Sequence, residues 1–290
     1  WVIRMMLMTG YVLDEIPFDT VYLHGLVNDK NGQKMSKSKG NGIDPIEMID
    51  KYGADAVRIS MVVGTSPGND NRLYEEKIES ARNFINKLWN IARFILMQVE
   101  NPRLVDEAPK PKTISDKWIL SKFEHLVEST KADLDNHRYS AVGENLYEFT
   151  WSDLADWYLE DAKVESGKDE ILLYILGRLL KLWHPYTPYV TEILYSQLTD
   201  APLITATWPQ VDSKLFNQEA EKEYTQYQAM LTAIRNARAE FKIPYSKEIK
   251  VNINKGSQEF AEHLKQRAKL SELTFDQASS DEKVMTYHLD

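Results

Sequence analysis

The spacing of apolar positions divides the chain into a short mixed segment, a long helical stretch and a short mixed tail. Trp1-Val2-Ile3-Arg4-Met5-Met6-Leu7-Met8 opens a predicted helix within residues 1–18, which ends in a turn near Ile16-Pro17. Thr20 to Leu26 is short, apolar and β-branched at its start, and predicts a buried strand. Asn28 to Gly42 is a loop with three glycines and four lysines. Asp44 then stands as the N-cap of a helix with Pro45 at its first position, and Gly53 as its C-cap. A second helix starts at Ala54, and Ser66-Pro67-Gly68-Asn69-Asp70 is a turn cluster.

From about Glu75 the period becomes helical. Ile78, Ala81, Ile85, Leu88, Ala92, Ile95 and Val99 recur at three and four and define one buried face. The segment from Pro102 to Pro111 holds three prolines and reads as a linker. Further helices are predicted from a Ser115 cap to about Asn136, over Tyr139–Ala162, Asp169–Trp183 and Val190–Leu198, and from Asn217 to Phe241. Ile249 to Ile253 alternates as a strand, and Gln258 to Lys269 follows as a short helix. The fold class expected is mainly α: the end of a Rossmann-type α/β domain, then an antiparallel helical bundle, then a small α/β tail. The boundaries fall at 1–74, 75–244 and 245–290.

Composition narrows the function. The 290 residues are 43% hydrophobic and 27% charged, which is globular, and the absence of cysteine excludes disulfides and Cys-ligated zinc. No apolar run is long enough for a membrane span. The start has neither the basic region nor the cleavage site of a signal peptide, and no initiator Met. We therefore expect a cut through the interior of a larger, cytoplasmic protein. The net charge is −9, yet residues 28–40, 77–103 and 230–250 each carry a local charge of +3, against −8 for residues 133–170. A single such segment is ordinarily a solvated face; three that converge can follow a phosphate backbone.

The chemistry is concentrated in Lys34-Met35-Ser36-Lys37-Ser38. A glycine-bracketed loop between a predicted strand and a capped helix can bring two ammonium groups onto a triphosphate, where charge builds on departing phosphates. An arbitrary pair of lysines at this spacing would be a solvated surface loop. The whole pentapeptide, in this setting and followed by Gly40-Asn41, instead resembles the KMSKS signature of class I aminoacyl-tRNA synthetases. The segments Val21–Val27, Gly32–Asn41, Tyr52–Arg58, Thr65–Asp70 and Arg82–Phe94 are similar to the valyl-tRNA synthetase family, as are Asp156–Glu160 and His184–Pro188 in its anticodon-binding bundle. The similarity spans about residues 1–245. Gly42 departs from the family pattern, in which Val is expected. The isoleucyl and leucyl enzymes share some of these features, and a stand-alone tRNA-binding module that reuses the bundle is a rival of a different class.

The resemblance implies roles. Lys37 stabilises charge on the pyrophosphate side of the transition state, with Lys34 as its partner. Met35, Ser36 and Ser38 belong to the ATP-binding loop, Gly40 and Asn41 shape its turn, and His24 lines the ATP site or packs at a strand end. On the bundle, Arg82, Asn86, Asn90 and Arg93 form a polar face for tRNA, and Phe84 either stacks on a splayed base or packs in the core. The implied ligands are ATP with Mg2+, L-valine and tRNA(Val), handled by a monomer; no metal-binding residue is assigned. The second class I signature, His-x-Gly-His, is missing: the histidines stand at 24, 125, 137, 184, 263 and 288. Half of the ATP site is therefore expected upstream of Trp1, and this chain alone is not expected to activate valine. A sheet cut in this way should leave apolar surface uncovered in residues 1–74.

Other groups carry bland expectations. Asp55 and Arg58 suggest an ion pair, intrahelical or between domains. Arg235, Arg238 and Lys242 suggest a solvated stripe rather than a tRNA contact. Trp151, Trp157, Tyr158, Trp183, Tyr186 and Tyr189 suggest core packing. Asp153, Asp156, Glu160 and Asp161 suggest ion pairing or solvation.

Overall fold

The computed structural model describes residues 1–253 and 260–275. The N-terminal segment contains α1 (Val2–Leu13), β1 (Val27–Asn28), α2 (Pro45–Tyr52), α3 (Ala54–Val62) and β2 (Asn71–Arg72). Helix α2 begins and ends as its sequence dictates: Asp44 accepts from the Ile46 amide at 2.8 Å, Pro45 takes the first position, and Gly53 closes it with φ 88°. The expected strand over 20–26 forms only at its end, where Val27 and Asn28 pair in parallel with Asn71 and Arg72. Val21, Leu23 and Leu26 are exposed rather than buried. The local pattern is that of a buried strand, but among the described residues no strand lies alongside 20–26. Helix α1 buries none of its residues, and Trp1 and Tyr11 are 90% and 89% exposed. This is the uncovered apolar surface that the sequence predicts.

The turn at 66–70 is held against residues 23–28 from several sides. Gly68 donates to the Leu23 carbonyl, and the Asp70 carboxylate accepts from the Leu26 amide and the Asn28 side chain at 2.9 and 3.0 Å. A β-carbon on Gly25 would lie 1.8 Å from the Asn69 carbonyl oxygen, so the approach requires glycine.

The bundle follows: α4 (Glu75–Gln98), α5 (Ile114–Asp135), α6 (Tyr139–Glu148), a π-helical run (Phe149–Tyr158), α7 (Leu159–Ala162), α8 (Asp169–Trp183), α9 (Pro188–Tyr195) and α10 (Gln218–Glu240). The helix predicted over 139–162 is therefore one continuous rod with a wide central section. Helix α8 is buried along almost its whole length and forms the centre of the core. Ser115 is not the cap of α5. Thr113 caps it in a reciprocal arrangement with Asp116, and Ser115 instead donates to Glu165. Tyr158, Trp183 and Tyr186 are core residues as expected, whereas Tyr189 is 63% exposed.

The tail holds β3 (Ile249–Asn252), α11 (Ala261–Ala268) and β4 (Leu270–Thr274), with the two strands parallel. Gln258, where α11 was predicted to start, lies outside the described residues. Arg238 of α10 belongs to no solvated stripe: it is buried, and its guanidinium donates to the carbonyls of Pro244, Lys247, Ala268 and Lys269. Arg267 enters the bundle, pairs with buried Asp161 at 2.8 Å and donates to the Asp156 carbonyl. Phe260 stacks on Tyr227 at 4.5 Å between ring centres. The remaining acidic residues of the 153–161 cluster have separate partners. Asp153 faces Lys122 at 3.5 Å, Asp156 faces Lys87 at 3.4 Å and Glu160 faces Lys163 at 2.5 Å.

The N-terminal segment is fixed to the bundle through α3. Asp55 and Arg58 form no ion pair with each other. Both reach instead to the connection between α8 and α9. Asp55 accepts from the amides of Tyr189 and Val190, and Arg58 donates to the carbonyls of Pro185 and Tyr186. Just beyond α3, Ser140 Oγ accepts from the amides of Gly64 and Thr65 at 2.8 and 3.1 Å. The Tyr22, His137 and Tyr139 rings cluster across the same junction, with Tyr22 and Tyr139 5.4 Å apart.

Candidate functional site

Lys34 to Asn41 leaves the sheet beside β1 and returns just before the α2 cap. A single bridge pairs Asn28 with Lys34. Met35 packs on the core and anchors the loop, and the Ser36 and Ser38 hydroxyls lie 3.3 Å apart. Residues Lys37–Lys39 form one tight 3-10 turn, and Gly40 follows with φ 64°. The Lys34 side chain is exposed and makes no ion pair among the described residues. The side chain of Lys37, the residue on which the sequence argument rests most, lies outside what is described; its backbone opens the 3-10 turn. His24 is exposed and its Nδ1 lies 2.8 Å from the Gly25 carbonyl oxygen. The loop therefore presents cations and hydroxyls to solvent, donors suited to polyphosphate oxygens. It does not fit a metal: among the described residues no three His, Asp or Glu side chains converge on one point.

The second candidate surface is α4. Arg82, Asn86, Asn90 and Arg93 are all exposed, and their spacing sets them on one side of the helix. None of the four side chains has a hydrogen-bond or ion-pair partner among the described residues. Phe84 does not join them. It is 2% exposed and sits 4.7 Å from the Tyr147 ring and 4.8 Å from Trp183, so its role as a stacking base partner is withdrawn and its role as a core residue stands. The hydrophobic period of α4 already aligned Phe84 closely enough with the buried face to allow this. Trp89, 41% exposed, lies on the same side as Arg82, Asn86 and Arg93, at three- and four-residue spacing from Asn86 and Arg93. In the third basic segment Arg238 is not free for such a face, because its guanidinium is committed to the tail.

Comparison with known proteins separates the possible meanings of this pairing. Residues 1–74 match the model for tRNA synthetases class I (I, L, M and V), and residues 116–253 match the model for the anticodon-binding domain of tRNA ligase. The chain is 39% identical over 266 residues to a valine–tRNA ligase of Clostridium tetani, covering 87% of this chain and 30% of that protein. It is 40% identical over 272 residues to the valine–tRNA ligase of Dehalococcoides mccartyi, with 88% and 31% covered. Over most of its length this chain is similar to valine–tRNA ligases. It spans about a third of the length of the relatives it matches. The fold also resembles that of a solved LeuRS of Agrobacterium radiobacter K84, in ternary complex with tRNA and LeuAMS. The TM-score is 0.67 at 21% identity, covering 74% of this chain and 28% of that one. No helix of the described residues is long and apolar enough to cross a membrane.

Proposed function

We propose that this chain is the part of a cytoplasmic, monomeric valine–tRNA ligase that carries the lysine loop of the ATP site and the tRNA-reading bundle. The reaction is ATP + L-valine + tRNA(Val) → valyl-tRNA(Val) + AMP + PPi. The observation that carries this reading is the identity of about 40% to valine–tRNA ligases over a single stretch of 265 to 272 residues. The division at 1–74, 75–244 and 245–290 gives a loop-bearing catalytic segment, a bundle that contacts tRNA and a buttressing tail.

In the activation step the valine carboxylate attacks the α-phosphate. The bond from the α-phosphorus to the bridging oxygen breaks, and charge gathers on the departing pyrophosphate. Lys37 meets that charge, with Lys34 beside it. Ser36, Ser38 and the amides of the 3-10 turn donate to phosphate oxygens, Met35 holds the loop on the core, and His24 borders the nucleotide. Mg2+ comes with the nucleotide and has no ligand set here, so no step is assigned to it. On the bundle, Arg82 and Arg93 meet phosphates or base edges, and Asn86 and Asn90 read base edges.

The test is valine-dependent exchange of pyrophosphate into ATP by the full-length enzyme, with isoleucine as the competing amino acid. Valine supports exchange, and Lys37→Ala lowers it about 100-fold or more. Exchange driven by isoleucine alone, or a Lys37→Ala enzyme as fast as the parent, contradicts the assignment.

A further inference from the structure

Two residues outside the reacting set hold the neck of the lysine loop. Asp29 Oδ1 accepts from the backbone amides of Asn31 and Gln33 at 3.0 and 2.8 Å, and Asp29 Oδ2 accepts from Asn41 Nδ2 at 2.9 Å. Asn41 spends its amide in both directions. Its Oδ1 accepts from the Ser36 amide at 3.0 Å, and its Nδ2 also donates to the Lys34 carbonyl at 3.3 Å. The backbone closes around the same point: the Asp29 amide donates to Gln33 and the Gly32 amide to Asp29, at 2.8 and 2.9 Å. The Asn41 side chain first, and the Gln33 amide second, hold the Asp29 carboxyl below its ordinary range.

One side of this neck is fixed. Asn28, next to Asp29, donates to Asp70, and its carbonyl accepts from the Leu73 amide at 2.8 Å. On the other side, Ser36 to Gly40 make no hydrogen bond to the sheet among the described residues. Beyond the Asn28–Lys34 bridge and the packing of Met35, the hydrogen bonds of Asn41 connect this side to the fixed one. A loop that must settle its lysines on a triphosphate loses less entropy if its neck is already set. Only an amide side chain at 41 can donate to Asp29 and to Lys34 while accepting from Ser36.

We propose that Asp29 and Asn41 are a clasp that positions Lys34 and the Ser36–Lys37 backbone for the triphosphate of ATP. Both are positioning residues for amino-acid activation. The inference rests on the ATP-site reading given above; it adds Asp29 and gives Asn41, expected there only to shape the turn, its partners. It also predicts the chemistry of failure. Asn41→Asp removes both donors and sets a second carboxylate against Asp29. The exchange of the two residues, Asp29→Asn with Asn41→Asp, restores one donor–acceptor link of reversed polarity and keeps an acceptor for the Ser36 amide.

The experiment compares the parent, Asn41→Asp, Asn41→Ala and the double exchange in the full-length enzyme. The readouts are valine-dependent pyrophosphate exchange as a function of ATP, tRNA affinity, and hydrogen exchange of the 34–41 peptide without ATP. Asn41→Asp is expected to lose about 100-fold in kcat/KM for ATP, the scale of a displacement of about 1 Å. Its tRNA affinity is expected to be unchanged. The double exchange recovers at least about tenfold of that loss, and Asn41→Ala loses protection at the Ser36 amide. An Asn41→Asp enzyme within about threefold of the parent overturns the clasp. So does a double exchange no better than Asn41→Asp, or a Ser36 amide unprotected in the parent. A parent with no valine-dependent exchange would fail the functional reading instead, and the hydrogen-exchange comparison then decides the clasp alone.

Discussion

Asp55 caps helix α9, which begins at Pro188: its Oδ2 accepts from the Val190 amide, 135 residues on, at 2.8 Å, while its Oδ1 accepts from the Tyr189 amide. Helix α9 starts with Pro188 and gains no capping bond from its own Thr187, so its first free amides are satisfied from α3. The same α3 sends Arg58 to the carbonyls that end the preceding turn. The lysine-loop segment and the bundle are thus joined through helix termini, where directional bonds fix orientation as well as distance.

This junction gives the first prediction. Asp55→Ala leaves the buried Val190 amide and the part-buried Tyr189 amide without their acceptor and should cost about 1–3 kcal/mol in urea unfolding. Asp55→Asn, which keeps an acceptor, should cost less. Equal losses for both variants would show that the carboxylate acts through its charge and not through the cap.

The face of α4 gives the second. Arg93→Ala and Arg82→Ala should weaken tRNA binding and make it less salt-sensitive, with little change in stability. Phe84→Ala should instead lose about 3–5 kcal/mol of stability, because it empties a site between Tyr147 and Trp183. Paired binding and unfolding curves separate the two behaviours. A Phe84→Ala variant that unfolds like the parent yet no longer binds tRNA would restore Phe84 to the interface.

The docking of the tail gives the third, and it depends on pH. Glu165 lies between buried Lys168 and His263, whose Nε2 is 2.5 Å from the carboxylate, with Asp161 and Arg267 close behind. Burial alone would raise the Glu165 carboxyl, but the bonds from His263 and Lys168 outweigh it and hold the group at about 2. The Glu165 carboxylate raises His263 above its ordinary 6.5 against the opposing effect of burial. The Glu165 contribution is present above its ordinary 4.5 and is lost as pH falls towards 2. The His263 contribution is complete below 6.5 and is lost as pH rises through its raised value. The tail should therefore dock most firmly between 4.5 and 6.5, and urea midpoints should fall on the alkaline side. His263→Gln should flatten that alkaline limb. An alkaline limb unchanged in the variant would place the titrating group elsewhere.

Arg238 gives the fourth. Its four carbonyl bonds join the end of α10 to both strands' approaches in the tail. Arg238→Lys cannot reproduce a planar fork and should cost about 2–4 kcal/mol in unfolding experiments, close to the loss for Arg238→Ala. Full stability in the lysine variant would mean that the charge alone suffices.

Much of this was legible in the chain. Asp44, Pro45 and Gly53 delimit α2, Asn217 caps α10, and the three- and four-residue periods found the bundle helices, because each of these signals is local. The lysine loop was legible as a motif. Relationships across the chain were not. The pattern of residues 20–26 is that of a buried strand, but burial depends on neighbours that a single strand does not encode. Arg238 stands at helical spacing with Arg235, and nothing nearby shows that four distant carbonyls wait for it. Asp29 sits in a lysine-rich loop, where only the folded turn shows it meeting Asn41.

The most direct test of the whole account is binding of this chain to a tRNA(Val) transcript and to the same transcript with its anticodon replaced, at two salt concentrations. Binding should weaken as salt rises, through phosphate contacts, and should favour the native anticodon at both concentrations. Equal affinity for the two transcripts at both salts would contradict it.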